Sequence, residues 1–70
     1  MAVFYLAERL QQAIWKSDLS TKEVARRAGI SRSLLNAYIS GDSTPGAENL
    51  LRLCDVLRVS SDWLLGLKNE

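Results

Sequence analysis

The hydrophobic residues of this 70-residue chain recur at intervals of three and four, the spacing of one face of an α-helix. In the first segment the stripe is formed by Val3, Leu6, Leu10, Ala13 and Ile14. It predicts an amphipathic helix over residues 3–17 whose apolar face lies in the core. No segment alternates polar and apolar residues as a half-buried strand does, so the pattern predicts an all-helical fold.

Recurring cap residues divide the rest of the chain into four more helices. Ser20, Ser31 and Ser60 stand where an N-cap hydroxyl would begin a helix, and Glu23 follows Ser20 at the spacing of a capping box. Gly29 can take the left-handed conformation that ends a helix. These signals predict helices over residues 21–28, 32–40 and 47–57, the last with Leu50, Leu53, Cys54 and Leu57 on its core face, and a short fifth helix after Ser60 that holds Trp63, Leu64 and Leu67.

Only residues 29–31 separate the second predicted helix from the third. Two short helices joined this closely must cross at a steep angle. The positions at which they would face each other and the core are small or apolar: Val24, Ala25, Ala28, Gly29, Ile30, Leu35 and Tyr38. The pattern therefore predicts a helix-turn-helix between about residues 21 and 40.

The composition limits the chain to one small domain over residues 1–70. One cysteine and no histidine exclude an internal disulfide and a Cys/His zinc site. The sequence has no phosphate-cradling glycine loop and no nucleophile with a base at a readable spacing, so we expect no enzyme, no cofactor and no metal. No apolar run approaches the roughly 18 residues of a membrane span, and the basic start of a signal peptide is missing, so we expect a cytoplasmic protein that does not contact a membrane.

The net charge of +1 hides an uneven distribution. Residues 1–35 carry six Lys or Arg against three Asp or Glu, a balance of +3, whereas residues 36–70 have a balance of −2. Such asymmetry suits a protein that presents one face to a polyanion.

The segment LSTKEVARRAGISRSLLNAYISG, residues 19–41, resembles the helix-turn-helix of the phage repressor and Cro type (XRE) of regulators. The resemblance continues through residues 48–51 and 59–65. It implies a compact five-helix, lambda-repressor-like domain that binds double-stranded DNA. It also implies a transcriptional repressor that binds a pseudo-palindromic operator as a homodimer, with RNA polymerase or a regulatory protein as a further partner.

In that family the third helix enters the major groove and the second lies across the DNA backbone. The positions here that correspond to base-contacting residues are Arg32, Ser33, Asn36 and Ala37. An arginine can bridge the O6 and N7 atoms of guanine, an asparagine can pair with adenine, and an alanine can touch a thymine methyl group.

The resemblance and the charges together imply phosphate contacts from Thr21, Lys22, Arg26, Ser40, Ser43 and Thr44. Lys22 and Arg32 stand in first helical turns, where the helix dipole disfavours a cation and a bound anion would offset that cost. Arg27 is expected to be solvated or paired with Glu23, four residues earlier.

Several positions depart from the family pattern. Ile14 and Ile39 replace an ion pair between the first and third helices, and we expect their side chains to touch. The loop after the third helix carries Asp42 and no cation. For Leu34 three roles are expected as alternatives: it packs under the third helix as a buttress, it contacts a thymine methyl group, or it lies partly exposed. Phe4, Gln11 and Trp15 lie on a second face of the first helix, where the two aromatic rings either cover the ends of the bundle or contact another chain.

These departures keep a second interpretation open, a protein-interaction module on the same fold that acts as an antitoxin, an adaptor or an anti-repressor target. Cys54 and Trp63 are expected in the core. Family position alone suggests that a homodimer would form through residues 59–61 and 65–67.

Overall fold

The structure, a computed structural model, describes residues 3–67, with side chains from residue 5. Five helices form within that range: α1 (Val3–Ser17), α2 (Thr21–Ala28), α3 (Arg32–Ser40), α4 (Ala47–Leu57) and α5 (Ser61–Leu64). The all-helical fold and the bounds of the first four helices agree with the prediction. None of the helices described has the length and apolarity needed to cross a membrane.

One core holds all five helices together. The largest fully buried side chains come one from each helix in order: Leu10, Val24, Leu35, Leu53 and Leu64. Complete burial of such a side chain is worth about 1.5–3 kcal/mol. The remaining buried positions are apolar as well: Leu6, Ala13, Ile14, Ala25, Ala28, Tyr38, Cys54 and Leu57. Burial raises the pKa of the Cys54 thiol, so this cysteine acts as a small core residue, as predicted.

The predicted N-caps are confirmed. The hydroxyl oxygens of Ser20, Ser31 and Ser60 each accept a hydrogen bond from the backbone N–H three residues later, at 3.1, 3.0 and 3.1 Å. The prediction that Glu23 completes a capping box with Ser20 is wrong. Its carboxylate is hydrogen-bonded to Arg26 and Arg27, because a charged guanidinium is a stronger donor than a neutral backbone amide.

The C-terminal helix is shorter than predicted. It ends at Leu64, and a left-handed Gly66 turns the chain so that the N–H of Leu67 reaches the carbonyl of Asp62 at 2.8 Å. Leu67 therefore lies outside the helix in which it was predicted, and its side chain is 70% exposed. Trp63 was predicted in the core, but it is only half-buried and packs against the edge of the apolar cluster.

An arginine that the sequence pattern does not single out joins the two ends of the fold. Arg9 Nη1 donates a hydrogen bond of 2.6 Å to the carbonyl oxygen of Trp63. The same guanidinium lies 5.1 Å from the centroid of the Trp63 ring and 5.5 Å from that of Tyr5. Cation–π contacts of this kind tie α1 to α5 across the partly exposed edge of the core.

Gly29→Ala is expected to destabilise the domain by about 1 kcal/mol. Gly29 has φ 74°, and an L-residue in the left-handed region costs about 1–2 kcal/mol, partly offset by the lower entropy of the unfolded chain. A Cβ there would meet only the end of Arg52 at 3.5 Å, so backbone strain is the main cost. Urea unfolding measures the change.

Gly46→Ala is the matched control, because Gly46 has φ −72° and no atom within 4 Å of an added Cβ. Gly46 is the N-cap of α4, where alanine is less favourable than glycine, but alanine also lowers the entropy of the unfolded chain, so we expect the free energy of unfolding to change by less than about 0.5 kcal/mol. Equal effects at the two glycines would contradict the role of the left-handed turn.

Candidate nucleic-acid interface

The turn between α2 and α3 is fixed by the backbone. After Gly29 reverses the chain, the N–H of Ile30 donates to the carbonyl of Ala25 at 3.1 Å and the N–H of Gly29 to that of Arg26 at 3.2 Å. These two bonds form the motif that commonly closes a helix at a glycine. The small buried side chains of Ala25 and Ala28 lie on the face of α2 that packs against α3 and α4. Helix α3 therefore starts directly from the end of α2.

Helix α3 is held from two sides. Leu35 and Tyr38 are buried, and Asn49 Nδ2 of α4 donates a hydrogen bond of 3.0 Å to the Tyr38 hydroxyl. From the other side, Gln11 Nε2 of α1 donates to the carbonyl oxygen of Ile39, also at 3.0 Å. These contacts fix the orientation of α3. The sequence analysis did not identify Asn49 as a contact of α3. The one available signal was Tyr38, because a tyrosine on an inward face needs a hydrogen-bond partner for its hydroxyl.

The outward face of α3 gathers the predicted base-contacting residues. Arg32, Ser33 and Asn36 are exposed and Ala37 is half-exposed. The side chains of Arg32, Ser33 and Asn36 have no hydrogen-bond or ion-pair partner among the described residues. Helix α3, held by α1 and α4, thus presents polar side chains that can still form hydrogen bonds with a ligand.

The predicted phosphate-contacting residues lie at the ends of α2 and α3. Lys22 is exposed in the first turn of α2, with Thr21 half-buried beside it. Lys22, like Arg32, has no carboxylate partner within residues 3–67. Ser40 is exposed, and its hydroxyl donates to the Ala37 carbonyl at 3.2 Å.

The loop after α3 is folded back onto the helix. The N–H groups of Asp42 and Ser43 both donate to the carbonyl of Ala37, at 2.9 and 3.2 Å. Ser43 is half-buried, while Asp42 and Thr44 are exposed. The backbone of Ser43 is therefore fixed beside the end of α3, and an acidic side chain stands next to it.

Arg26 is not a free cation, although the sequence suggested a phosphate contact. Its guanidinium is bound to both carboxylate oxygens of Glu23, with Nε donating to Oε1 at 3.2 Å. Arg27 Nε donates to Oε2 of the same carboxylate at 2.8 Å, which confirms the predicted pairing of Arg27. The hydrogen bonds from Arg26 first and then from Arg27 lower the pKa of Glu23 to about 2, and the hydrogen bond to Glu23 raises the pKa of Arg26.

A groove of about 520 Å³ lies beside this surface, between α1, the α1–α2 turn and the end of α3. Ile14, Leu19 and Ile39 give it apolar walls, and Trp15 stands on its rim with 83% of its surface exposed. Trp15 therefore does not cover an end of the bundle. The Phe4 and Val3 side chains lie outside those described. Ile14 and Ile39 line the same groove, and direct contact between them stays a prediction.

Leu34 is half-buried and packs against the apolar core, which fits a buttress of α3. Among the described residues, no three His, Cys, Asp or Glu side chains are grouped as a metal site would require. The outward face of α3 and the first turn of α2 thus offer hydrogen-bond donors and acceptors, and two cations, Lys22 and Arg32, that have no carboxylate partner among the described residues.

Comparison with known proteins identifies the family to which this chain is similar. A family model described as Helix-turn-helix matches residues 6–64, which confirms the resemblance derived from residues 19–41. HTH-type transcriptional regulator ImmR of Bacillus subtilis (strain 168) is 34% identical over 61 residues, covering 87% of this chain and 48% of that protein. The chain thus spans about half the length of this relative. No solved structure matches it significantly.

Lowering the pH from about 5 to 2 is expected to remove stability through Glu23. Its folded-state pKa of about 2 lies below the ordinary 4.5, so the unfolded chain takes up the proton first as the pH falls. This contribution is fully present above about pH 4.5 and is lost toward pH 2. Urea unfolding across this window should show a flatter decline for Glu23→Gln than for the original chain.

Proposed function

This chain belongs to the helix-turn-helix family, and we propose that it binds double-stranded DNA as a transcriptional regulator, with residues 1–70 as its DNA-binding domain. The observation that carries the proposal is the outward face of α3, where exposed polar side chains have no partner within the described residues while the helix is fixed by α1 and α4. A preorganised helix with unused donors and acceptors suits readout of base edges in a major groove.

In this proposal Arg32 and Asn36 read bases. Arg32 offers a guanidinium fork that matches the O6 and N7 atoms of guanine, and Asn36 offers an amide that matches adenine. Ser33 contributes a less selective hydroxyl, and Ala37 touches a thymine methyl group. Arg32 also stands in the first turn of α3, where an electron-rich base edge would gain from the helix dipole.

The phosphate contacts come from the ends of α2 and α3. Lys22 and Thr21 lie at the N-terminus of α2, and its free backbone amides favour an anion. Ser40, Ser43 and Thr44 approach the backbone from the other end of α3. Arg26 contributes only when its guanidinium exchanges Glu23 for a phosphate.

A homodimer would place two copies of α3 about 34 Å apart, in successive major grooves of a pseudo-palindromic operator. The exposed Leu67 and the turn at residues 59–61 are the surfaces suggested for it. Bound in this way, the protein would repress transcription by blocking RNA polymerase. Dimer formation would compensate for the small number of free cations on one copy.

Arg32→Lys should relax base selection while keeping the electrostatic part of binding. Lysine is a point charge on a flexible stem and lacks the planar fork of arginine, so we expect weaker discrimination for guanine at one base pair, by up to about 1–3 kcal/mol. The charge is retained, so the slope of log K against log salt should stay the same. Selection of binding sites from random duplex DNA, followed by titration at several salt concentrations, measures both quantities.

Lys22→Ala should leave base selection unchanged and reduce the electrostatic part of binding. It should weaken binding to all sequences alike and reduce the salt slope by about 0.9, the value for one phosphate that is no longer neutralised. Lys16→Ala removes an exposed cation from α1 and serves as the control. If selection enriches no dyad motif, the repressor proposal fails, and if Arg32→Lys leaves an enriched motif unchanged, the role of Arg32 fails.

A protein-interaction module remains the second candidate, and Trp15 favours it. A tryptophan with 83% of its surface exposed, on the rim of an apolar groove, is typical of an interface. If the folded chain enriches no DNA sequence, this function takes precedence.

A further inference from the structure

One carboxylate holds two arginines on the outer side of α2. Glu23 accepts hydrogen bonds from Arg26, through both of its oxygens, and from Arg27 at 2.8 Å. The side chains of Arg26 and Arg27 are 68% and 52% exposed, while that of Glu23 is 30% exposed. The arginines therefore cover the carboxylate, and their guanidinium donors point toward it.

The position of this cluster on α2 is set by the core. Val24, Ala25 and Ala28 are the buried residues of the helix, so the opposite side carries Glu23 and Arg26. If the chain binds DNA as proposed, α2 is the helix that crosses the sugar-phosphate backbone. After Lys22 of the first turn, Arg26 is thus the cation of α2 best placed to meet a phosphate, and Arg27 lies beside it.

A carboxylate and a phosphate compete for the same donors. Both accept the two parallel N–H groups of a guanidinium, so Arg26 cannot present the same fork to Glu23 and to DNA at once. Exposed ion pairs are weak, which lets a phosphate displace the carboxylate when the backbone comes close. The released Glu23 charge would then lie near the polyanion and oppose binding.

We propose that Glu23 restrains Arg26 and Arg27 and thereby limits how strongly the chain binds DNA of any sequence. This rests on the proposed function and adds a determinant of specificity to it. The restraint acts on backbone contacts, which carry no sequence information, and leaves the base-reading face of α3 untouched. It therefore raises the ratio of specific to non-specific binding.

The restraint does not depend on pH near neutrality. With a pKa of about 2, Glu23 stays ionised throughout the range in which a cell works. Lys22, the residue before Glu23 on α2, and Arg32 on α3 are nearby cations without a carboxylate partner among the described residues. They provide the unrestrained part of the electrostatic attraction.

Glu23→Gln tests the proposal, with titration of a random-sequence duplex as the measurement. Glutamine keeps the size of the side chain but loses the charge that binds the arginines. The variant should bind the duplex more tightly, and its slope of log K against log salt should steepen by about 0.9 for each further phosphate that a released arginine neutralises. Circular dichroism and urea unfolding check that the fold is retained.

Glu48→Gln is the matched control. Glu48 pairs with Arg52 at 2.6 Å on α4, so its loss makes the same change in net charge and also releases one arginine, but from a helix that is not proposed to cross the DNA backbone. The triple variant Glu23→Gln, Arg26→Ala, Arg27→Ala is the second control, and in it the increase in affinity should disappear.

Each outcome decides a claim. A steeper slope for Glu23→Gln than for Glu48→Gln, absent from the triple variant, supports the restraint. Equal slopes for the two single variants, or an increase in affinity that persists without the arginines, overturn it and leave the proposed function standing. If the original chain binds no duplex while Glu23→Gln does, the restraint holds and the proposed function is wrong. If neither chain binds, both are wrong.

Discussion

Burial of one large aliphatic side chain from each helix is the interaction on which the rest of the structure depends. Leu10, Val24, Leu35, Leu53 and Leu64 meet in a single cluster, and the neighbouring buried positions are apolar. A chain of this size has little else to hold it together. Each helix is too short to be stable alone, so its direction is set by where its buried residue must go. The outward face of α3 is thus a consequence of the position of Leu35.

A second constraint, the pairing of charges, determines which polar side chains of α2 and α3 remain open on the surface. Helix α2 carries three cations, and one carboxylate serves two of them, whereas Arg32 of α3 has no acidic partner in the described part of the chain. On α2, Glu23 holds two of the three cations and leaves Lys22 without an acidic partner in the described part of the chain. On α3, the exposed side chains of Arg32, Ser33 and Asn36 keep their hydrogen-bonding capacity open to the outside.

Local signals in the sequence were sufficient for the bounds of the first four helices but not for the contacts between helices. The bounds of α2 and α3 could be predicted because a serine cap and a left-handed glycine act within a few residues. The hydrogen bonds from Gln11 to Ile39 and from Asn49 to Tyr38 join distant segments, and no local pattern reveals them. For Glu23 the sequence allows several partners: the backbone N–H of Ser20 and the side chains of Arg26 and Arg27. Only the three-dimensional structure shows that the carboxylate binds the two arginines. The end of α5 was missed because Gly66 reverses the chain before Leu67 can join the helix.

The groove beside α3 links the two candidate functions physically. Thr21 lines the groove and also stands at the N-terminus of α2, where a phosphate is proposed to bind. Ile39 lines it from α3, one residue before Ser40. A partner that filled the groove and covered Trp15 would therefore lie beside the end of α2 at which a phosphate is proposed to bind. The two candidate functions thus place their ligands on the same side of the domain.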